Sequence, residues 1–295
     1  MASIATIDHA GFVVEDITRS KKFYERVFGS KELWTSNLHT RTYQGWPIIA
    51  FVELGAHRFE VCLAQHALPE PDRAHPFPGL GFSVDEATME RLEDRLDEFE
   101  VEHGTRFVYA PGLPLTEGIR IWDPDGNALD LAVWTGSTRS GGVGQADVIP
   151  LTDMCHAALE VTDLNEAERF YTQVLGMRLL MSDEGELGKG RIAVENETHQ
   201  VIFLELVESL SPRSYYSGPD PSTAPVFENM TPFAGAHIAI TVNSPEEYDD
   251  IAAGLRSWRV LTDGDVLAGT RAPDVKTEYF YDPTGNRIQL VCMSK

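Results

Sequence analysis

The 295-residue chain is short of cysteine, of positive charge and of long apolar runs. Its three cysteines, Cys62, Cys155 and Cys292, are odd in number and scattered, with no CxxC pair. That excludes a disulfide framework and a cysteine-built zinc or redox centre, and we read them as reduced, buried thiols. Lysine and arginine number 24 against 46 acidic residues, a formal charge of −22. A field of that sign repels phosphate backbones and anionic lipid, so nucleic acid and membrane surfaces are poor partners. No run of about 18 apolar residues is present to span a bilayer. Met1 to Val14 shows neither the basic start nor the cleavage pattern of a secretory signal, so the expectation is a cytoplasmic protein. What remains is an ordinary globular composition, 42% hydrophobic and 24% charged, long enough for one large or two medium domains.

A repeat organises the chain. The segments "IDHAGFVVEDITRSKKFYERVFGSKEL" and "MCHAALEVTDLNEAERFYTQVLGMRLL" align at a constant offset: His9 with His156, Asp16 with Asp163, Phe23-Tyr24 with Phe170-Tyr171, and Gly29 with Gly176, each 147 apart. A second pair of blocks follows, "LGFSVDEATMERLEDRL" with "HIAITVNSPEEYDDIAAGL" and "DPDGNALDL" with "DPTGNRIQL", at offsets of 158 to 159. The longer offset places an insertion of about a dozen residues in the Ser- and Pro-rich stretch Val207 to Ala236, a lid or a disordered excursion. Each block reads as a strand, a helix stopped by glycine, then further strands, with Asp-Pro-x-Gly-Asn turning into the last one. The expected fold is α+β: four βαβββ modules in two pairs, each pair an open curved mixed sheet with helices outside. A Gly- and Ser-rich linker, Thr135 to Val148, separates an N-terminal domain, 1–136, from a C-terminal domain, 149–295.

Period-two alternation then assigns faces. Cys155, Ala157, Leu159 and Val161 are apolar, so His156 projects from the opposite face. His237 opposes Ile238, Ile240 and Val242; Gln289 opposes Ile288, Leu290 and Cys292; Glu205 opposes Ile202, Leu204 and Leu206. If these strands curl into one trough, His156, Glu205, His237 and Gln289 bring imidazole, carboxylate and amide oxygen together, a donor set suited to Fe(II), Mn(II), Zn(II) or another divalent ion.

The strand-initial histidines, "FYTQVLGMRLL", "FLELVE" and "YFYDPTGNRIQL" together resemble the vicinal oxygen chelate superfamily: glyoxalase I, methylmalonyl-CoA epimerase, fosfomycin- and bleomycin-resistance proteins and extradiol dioxygenases. The resemblance covers nearly the whole chain, and it fixes a fold rather than a reaction. It implies metal ligands at His156, His237 and Gln289, with Glu205 at an additional position. The first-half equivalents are His9, Glu60, Gly79 and Asp130, and the glycine makes that half look degenerate and structural. A silent N-terminal half joined to a competent C-terminal half looks like a two-domain extradiol dioxygenase, with Fe(II) opening a catechol-like ring. In that reading Tyr279 hydrogen-bonds the substrate and His199, beside Gln200, serves as acid or base. Gln289 departs from the expected glutamate, so Glu205 supplies the carboxylate, or the metal binds loosely, or none binds.

Two alternatives stand beside this reading. One is a glyoxalase- or epimerase-type isomerase or lyase using Mn, Zn or Ni. The other is a metal-free protein that binds an aromatic ligand, closed over by Tyr215, Tyr216 and Phe227. The partner is a small aromatic or oxygenated metabolite in every case, and the resemblance adds an expected homo-oligomer.

Overall fold

Four strands in this chain are followed within a few residues by a side chain that caps the next helix. Asp16 accepts from the backbone N–H of Thr18 and Arg19, Asp85 from Thr88, Asp163 from Glu166 and Ser244 from Glu247. Short oxygen-bearing side chains at the N-cap satisfy donors that a helix start leaves unbonded. These caps open the helices of a computed structural model that describes residues 3–35, 49–54, 59–65, 79–136, 147–183, 190–206, 237–258 and 275–293.

The first module runs β1 (Thr6–Val14), α1 (Ile17–Phe28), β2 (Lys31–Thr35), β3 (Ile49–Leu54) and β4 (Phe59–Gln65). The second runs β5 (Gly79–Val84), α2 (Glu86–Glu90), α3 (Leu92–Glu98), β6 (Phe107–Val108), β7 (Leu115–Trp122) and β8 (Ala128–Trp134). The third is β9 (Met154–Val161), α4 (Leu164–Arg169), β10 (Arg178–Asp183), β11 (Arg191–Glu195) and β12 (Val201–Leu206). The fourth gives β13 (His237–Thr241), α5 (Pro245–Ser257), β14 (Val275–Tyr281) and β15 (Arg287–Met293). The inserted stretch 207–236 and most of the linker lie outside the described residues.

The apolar faces follow the repeat. Phe23, Tyr24, Val27 and Phe28 of α1 are buried, as are Phe170, Tyr171, Val174 and Leu175 147 positions on. Each such side chain removed from water contributes about 1.5–3 kcal/mol before the entropy of ordering it is counted. The second set differs in one respect: after Arg169 the helix widens into a π segment, Phe170–Val174, with Leu175 N–H donating to the Phe170 carbonyl. Both helices end on a left-handed glycine, Gly29 at φ 66° and Gly176 at φ 65°.

The modules pair into two mixed sheets, but not by halves. The seven-stranded sheet has the order β14-β15-β13-β1-β4-β3-β2, joining the fourth module to the first. The eight-stranded sheet, β10-β11-β12-β9-β5-β8-β7-β6, joins the third to the second. The expected pairing of modules within each half is therefore corrected. The bonds that make the switch are visible: Ala5 N–H donates to the Thr241 carbonyl, and Ser83 N–H to the Asp153 carbonyl. β13 and β15 run parallel with antiparallel β14 outside, and β5 and β8 run parallel with antiparallel β7 outside.

What ties each half together is instead a helix held to a turn. Tyr24 O–H donates to Asp123 in the Asp-Pro-Asp-Gly-Asn turn, and Tyr171 O–H donates to Asp282 in its counterpart, at 3.1 and 3.0 Å. Asp123 Oδ1 also accepts from the backbone of Asp125 and Asn127, and Asp282 Oδ1 from Thr284, Gly285 and Asn286. Burial pushes the Asp123 carboxyl up to about 6, although these bonds oppose it, and it raises Asp282 in the same direction. The chain divides into two compact units, one holding residues 1–9 and most of 158–295, the other 10–157.

Candidate functional site

In the first unit, alternation along three strands gathers polar side chains on one face. β13 begins with His237, whose neighbours Ile238 and Ile240 lie on the other side and pair with Ile288 and Leu290 of β15. The parallel register sets Ala239 beside Gln289, and the antiparallel register sets Gln289 beside Tyr279. His237, Gln289 and Tyr279 thus share a face. They are 3%, 0% and 3% exposed, in a position where a polar group must find a partner or cost stability.

β1 adds His9, 1% exposed, whose ring meets that of His237 edge-on at 5.4 Å between centroids. Asp8 accepts from Nδ1 of His9 at 2.7 Å, which orients the ring and leaves Nε2 as the nitrogen that could hold an ion. His237 in turn packs edge-on against Tyr279 at 5.6 Å. The buried guanidinium of Arg287 lies 3.9 Å from the Tyr279 ring centroid and pins that ring by a cation–π contact.

Gln289 completes the group. Its amide nitrogen donates to Thr277 Oγ1 at 2.8 Å, which turns Oε1 the other way. That oxygen is fully buried and accepts no hydrogen bond among the described residues. Two imidazoles and an orphaned amide oxygen on one buried face fit a divalent cation. Among the described residues no cluster of three or more His, Cys, Asp or Glu side chains is arranged to hold a metal, and this donor set relies on an amide in place of a carboxylate.

The second unit repeats the plan with different chemistry. His156 on β9 is 1% exposed, and Nε2 lies 3.3 Å from Asp130 Oδ2 and 3.4 Å from the Tyr109 hydroxyl. Its ring lies over Gly81 so closely that a Cβ there would fall inside the imidazole. Asp130 on β8 is the register partner of Arg120 on β7, and Arg120 donates two bonds to it, Nε to Oδ1 at 2.7 Å and a terminal nitrogen to Oδ2 at 2.9 Å. Burial drives the Asp130 carboxyl up, but Arg120 and His156 together overcome it and hold it at about 2.

These positions correct the single trough expected from the sequence. His156 and His237 point inward as alternation requires, but they belong to different sheets with separate partners. Glu205 on β12 is half-buried and forms an ion pair with Arg191, its register partner on β11. His199 sits at φ 63° in the turn before β12 with its side chain 58% exposed, near Glu195, so it faces away from the interior. Gln200 is the buried member of that pair, and it accepts from Ile7 N–H and the Thr6 hydroxyl, both at 2.8 Å. Tyr279 does stand beside His237.

His9, assigned from sequence to a silent half, instead shares the first trough, and Arg120 was missed although it stands 159 positions before Tyr279. The signal for His9 was its 147-residue equivalence to His156. The side chain of Glu60 lies outside the described residues. Cys155 and Cys292 are buried and free, as expected.

A family model described as Glyoxalase/Bleomycin resistance protein/Dioxygenase superfamily matches residues 6–131 and 154–290, one match to each half of the repeat. Among solved structures, glyoxalase I from Zea mays is 18% identical, with 97% of this chain and 92% of that one aligned at a TM-score of 0.62. A candidate dioxygenase from Bacillus subtilis subsp. subtilis str. 168 is 15% identical over 100% of this chain and 87% of that one, at a TM-score of 0.67. At such identities the likeness speaks for the fold alone. No curated protein matches the chain in sequence. Among the described residues no helix is long and apolar enough to cross a membrane.

Proposed function

Since the chain belongs to the Glyoxalase/Bleomycin resistance protein/Dioxygenase superfamily, we propose that it is a divalent-metal enzyme working from the first trough on a small metabolite with two neighbouring oxygen atoms. His9, His237 and Gln289 are the residues that would hold the ion. The observation that carries this reading is Gln289 Oε1, a fully buried acceptor turned away from the amide's bond to Thr277 and without a donor among the described residues. A buried carbonyl oxygen in that state costs about 1–3 kcal/mol unless something occupies it.

When bound, the ion supplies Lewis-acid polarisation of the substrate's oxygens. The chain's own residues do the rest. Asp8 fixes the His9 ring through Nδ1, and Thr277 fixes the Gln289 amide. Tyr279, pinned by Arg287, offers its hydroxyl as a hydrogen-bond donor to a substrate oxygen on which negative charge develops. The buried strands around these groups keep water from the reacting oxygens. None of the three side chains that would hold the ion is a carboxylate, so an anionic substrate oxygen is left to offset its charge. That favours an enediolate-like substrate anion, and with it an isomerase- or lyase-type reaction using Zn, Ni or Mn.

A second reading is extradiol cleavage of a catechol-like ring with Fe(II). Tyr279, ten residues before Gln289 and in ring contact with His237, is the observation in its favour. The argument from a silent N-terminal half no longer supports it, because the trough takes His9 from that half.

Metal analysis of anaerobically purified protein, followed by oxygen uptake with a catechol panel, separates the two. Zn, Ni or Mn without oxygen consumption supports the first, and tight Fe with uptake supports the second. His237→Ala and His9→Ala each abolish metal binding, and the His9 result reverses the expectation from sequence. Stoichiometric metal retained in either variant, or no metal in the native protein, overturns the proposed site.

A further inference from the structure

The repeat makes the two troughs comparable strand by strand. In the first, the β14–β15 hairpin sets Tyr279 beside Gln289; in the second, the β7–β8 hairpin sets Arg120 beside Asp130, 159 positions earlier in each case. The first ends in an oxygen with no donor among the described residues. The second ends in a carboxylate whose two oxygens are both taken by a guanidinium, with His156 against one of them.

Gly79 stands where the fourth module has His237, so one ligand position is missing there, and Gly81 two residues on makes room for the His156 ring to lie across β5 toward Asp130. The imidazole of His156 and the buried carboxylate of Asp130 are both donor types that divalent ions take. Instead a fixed cation is already in place. The Arg120 side chain is 28% exposed, and its planar fork matches the carboxylate edge that a metal would need.

We propose that Arg120 is a built-in substitute for a metal ion: the second trough is a former cation site closed by a guanidinium supplied by the chain itself, and removing that guanidinium opens it to a divalent ion. The claim goes beyond the reaction assigned to the first trough and does not depend on it. A divalent ion and Arg120 compete for the same two oxygens of Asp130. The tethered cation wins because it is always present at high effective concentration and needs no other ligand. The protein then carries a single metal-binding trough, although the repeat supplies the framework for two.

The test is a titration of metal-free protein with Co(II), followed by the visible absorption of the bound ion, alongside circular dichroism and gel filtration to establish folding. Native protein, Arg120→Gln and Arg120→Ala are compared, each alone and with His156→Ala. The expected result is that folded Arg120→Ala binds one more Co(II) per chain than native protein, and that adding His156→Ala removes the extra ion. Arg120→Gln, which keeps the length and some hydrogen bonding of the side chain, serves where the alanine variant fails to fold.

Because the readout is a difference between variants, it stands even where the first trough binds nothing. The proposal is overturned by folded Arg120 variants that gain no ion, or by native protein whose ion count falls on His156→Ala. As a further arm that needs no Arg120 variant, native-background His9→Ala binds no Co(II) at all. An ion in that variant that is lost on His156→Ala places a metal beside an intact Arg120 and overturns the proposal equally.

Discussion

The trough around Gln289 and the trough around Asp130 come from the same hairpin of the same repeat, and their polarity is inverted. One presents two imidazoles beside an amide oxygen with no donor among the described residues; the other presents a carboxylate with both oxygens bonded to a guanidinium. The lesson is that a duplicated scaffold separates chemistry from support by changing very few side chains. Tyr against Arg, Gln against Asp and His against Gly at equivalent positions distinguish the two troughs, while the helix caps and the Asp-Pro-x-Gly-Asn turns recur.

The largest expected consequence of this inversion is in acid. Asp130 is held at about 2, below its ordinary 3.8, so its contribution to stability is complete above about pH 4 and is lost as pH falls through 2. The shift corresponds to about 2–3 kcal/mol. Urea denaturation followed from pH 5 to pH 2 is expected to show this loss in native protein and its absence in Asp130→Asn. Gln289→Leu, the matching change in the first trough, leaves the acid dependence as it was, because an amide does not titrate. Asp123 runs in the opposite sense: its carboxyl sits at about 6, above the unfolded value, so the folded state binds the proton more tightly and that contribution is lost as pH rises from about 4 to 6. Comparing variants with native protein at each pH isolates Asp130 from that background. An Asp130→Asn curve parallel to the native one would remove the guanidinium pair from its supporting role.

Next in size is Gly81→Ala. The added Cβ falls within the His156 ring, so the imidazole must leave its place over β5. Overpacking of this kind costs about 1–3 kcal/mol. The equivalent residue in the first unit is Ala239, 158 positions on and already carrying a Cβ beside Gln289. Ala239→Gly is therefore expected to cost only about 1 kcal/mol, from the weaker strand propensity of glycine and a small packing loss. Equal midpoints for the two variants in chemical denaturation would mean that His156 yields freely and that the second trough is not rigidly packed.

Much of this architecture was written in the residues. The 147-residue offset located the modules, Asp16 and Asp163 marked their helix starts, and period-two alternation turned His156, His237 and Gln289 inward, where they are buried. Alternation states which face a residue occupies; it does not state which strand lies alongside. That choice rests on backbone bonds between strand edges such as Ala5 to Thr241, which have no side-chain signature, so the exchange of modules between halves was illegible. His9 was misassigned for that reason: it and Gly79, grouped together from the sequence, lie on strands of different sheets. His199 failed for a different one. A non-glycine residue at positive φ turns the chain just before β12 and sends the ring outward, while its neighbour Gln200 takes the inward place.

The smallest expected effect separates a residue that alternation placed well from one that the site uses. Glu205 faces as the sequence suggested, yet its carboxylate is taken by Arg191 directly across the β11–β12 ladder. Arg191 also lies 5.0 Å from the Phe203 ring centroid, so the guanidinium is held from two sides. Its side chain is 42% exposed, which screens the pair, and a cross-strand ion pair in such a setting is worth less than about 0.5 kcal/mol. Glu205→Gln is thus expected to leave the denaturation midpoint and the metal content of the native protein almost unchanged, where His9→Ala abolishes the metal. A Glu205→Gln protein that lost its ion would return the carboxylate to the coordination set. It would also show that His9, His237 and Gln289 are insufficient by themselves, and the contrast between the two troughs would have to be redrawn around a ligating carboxylate in the first.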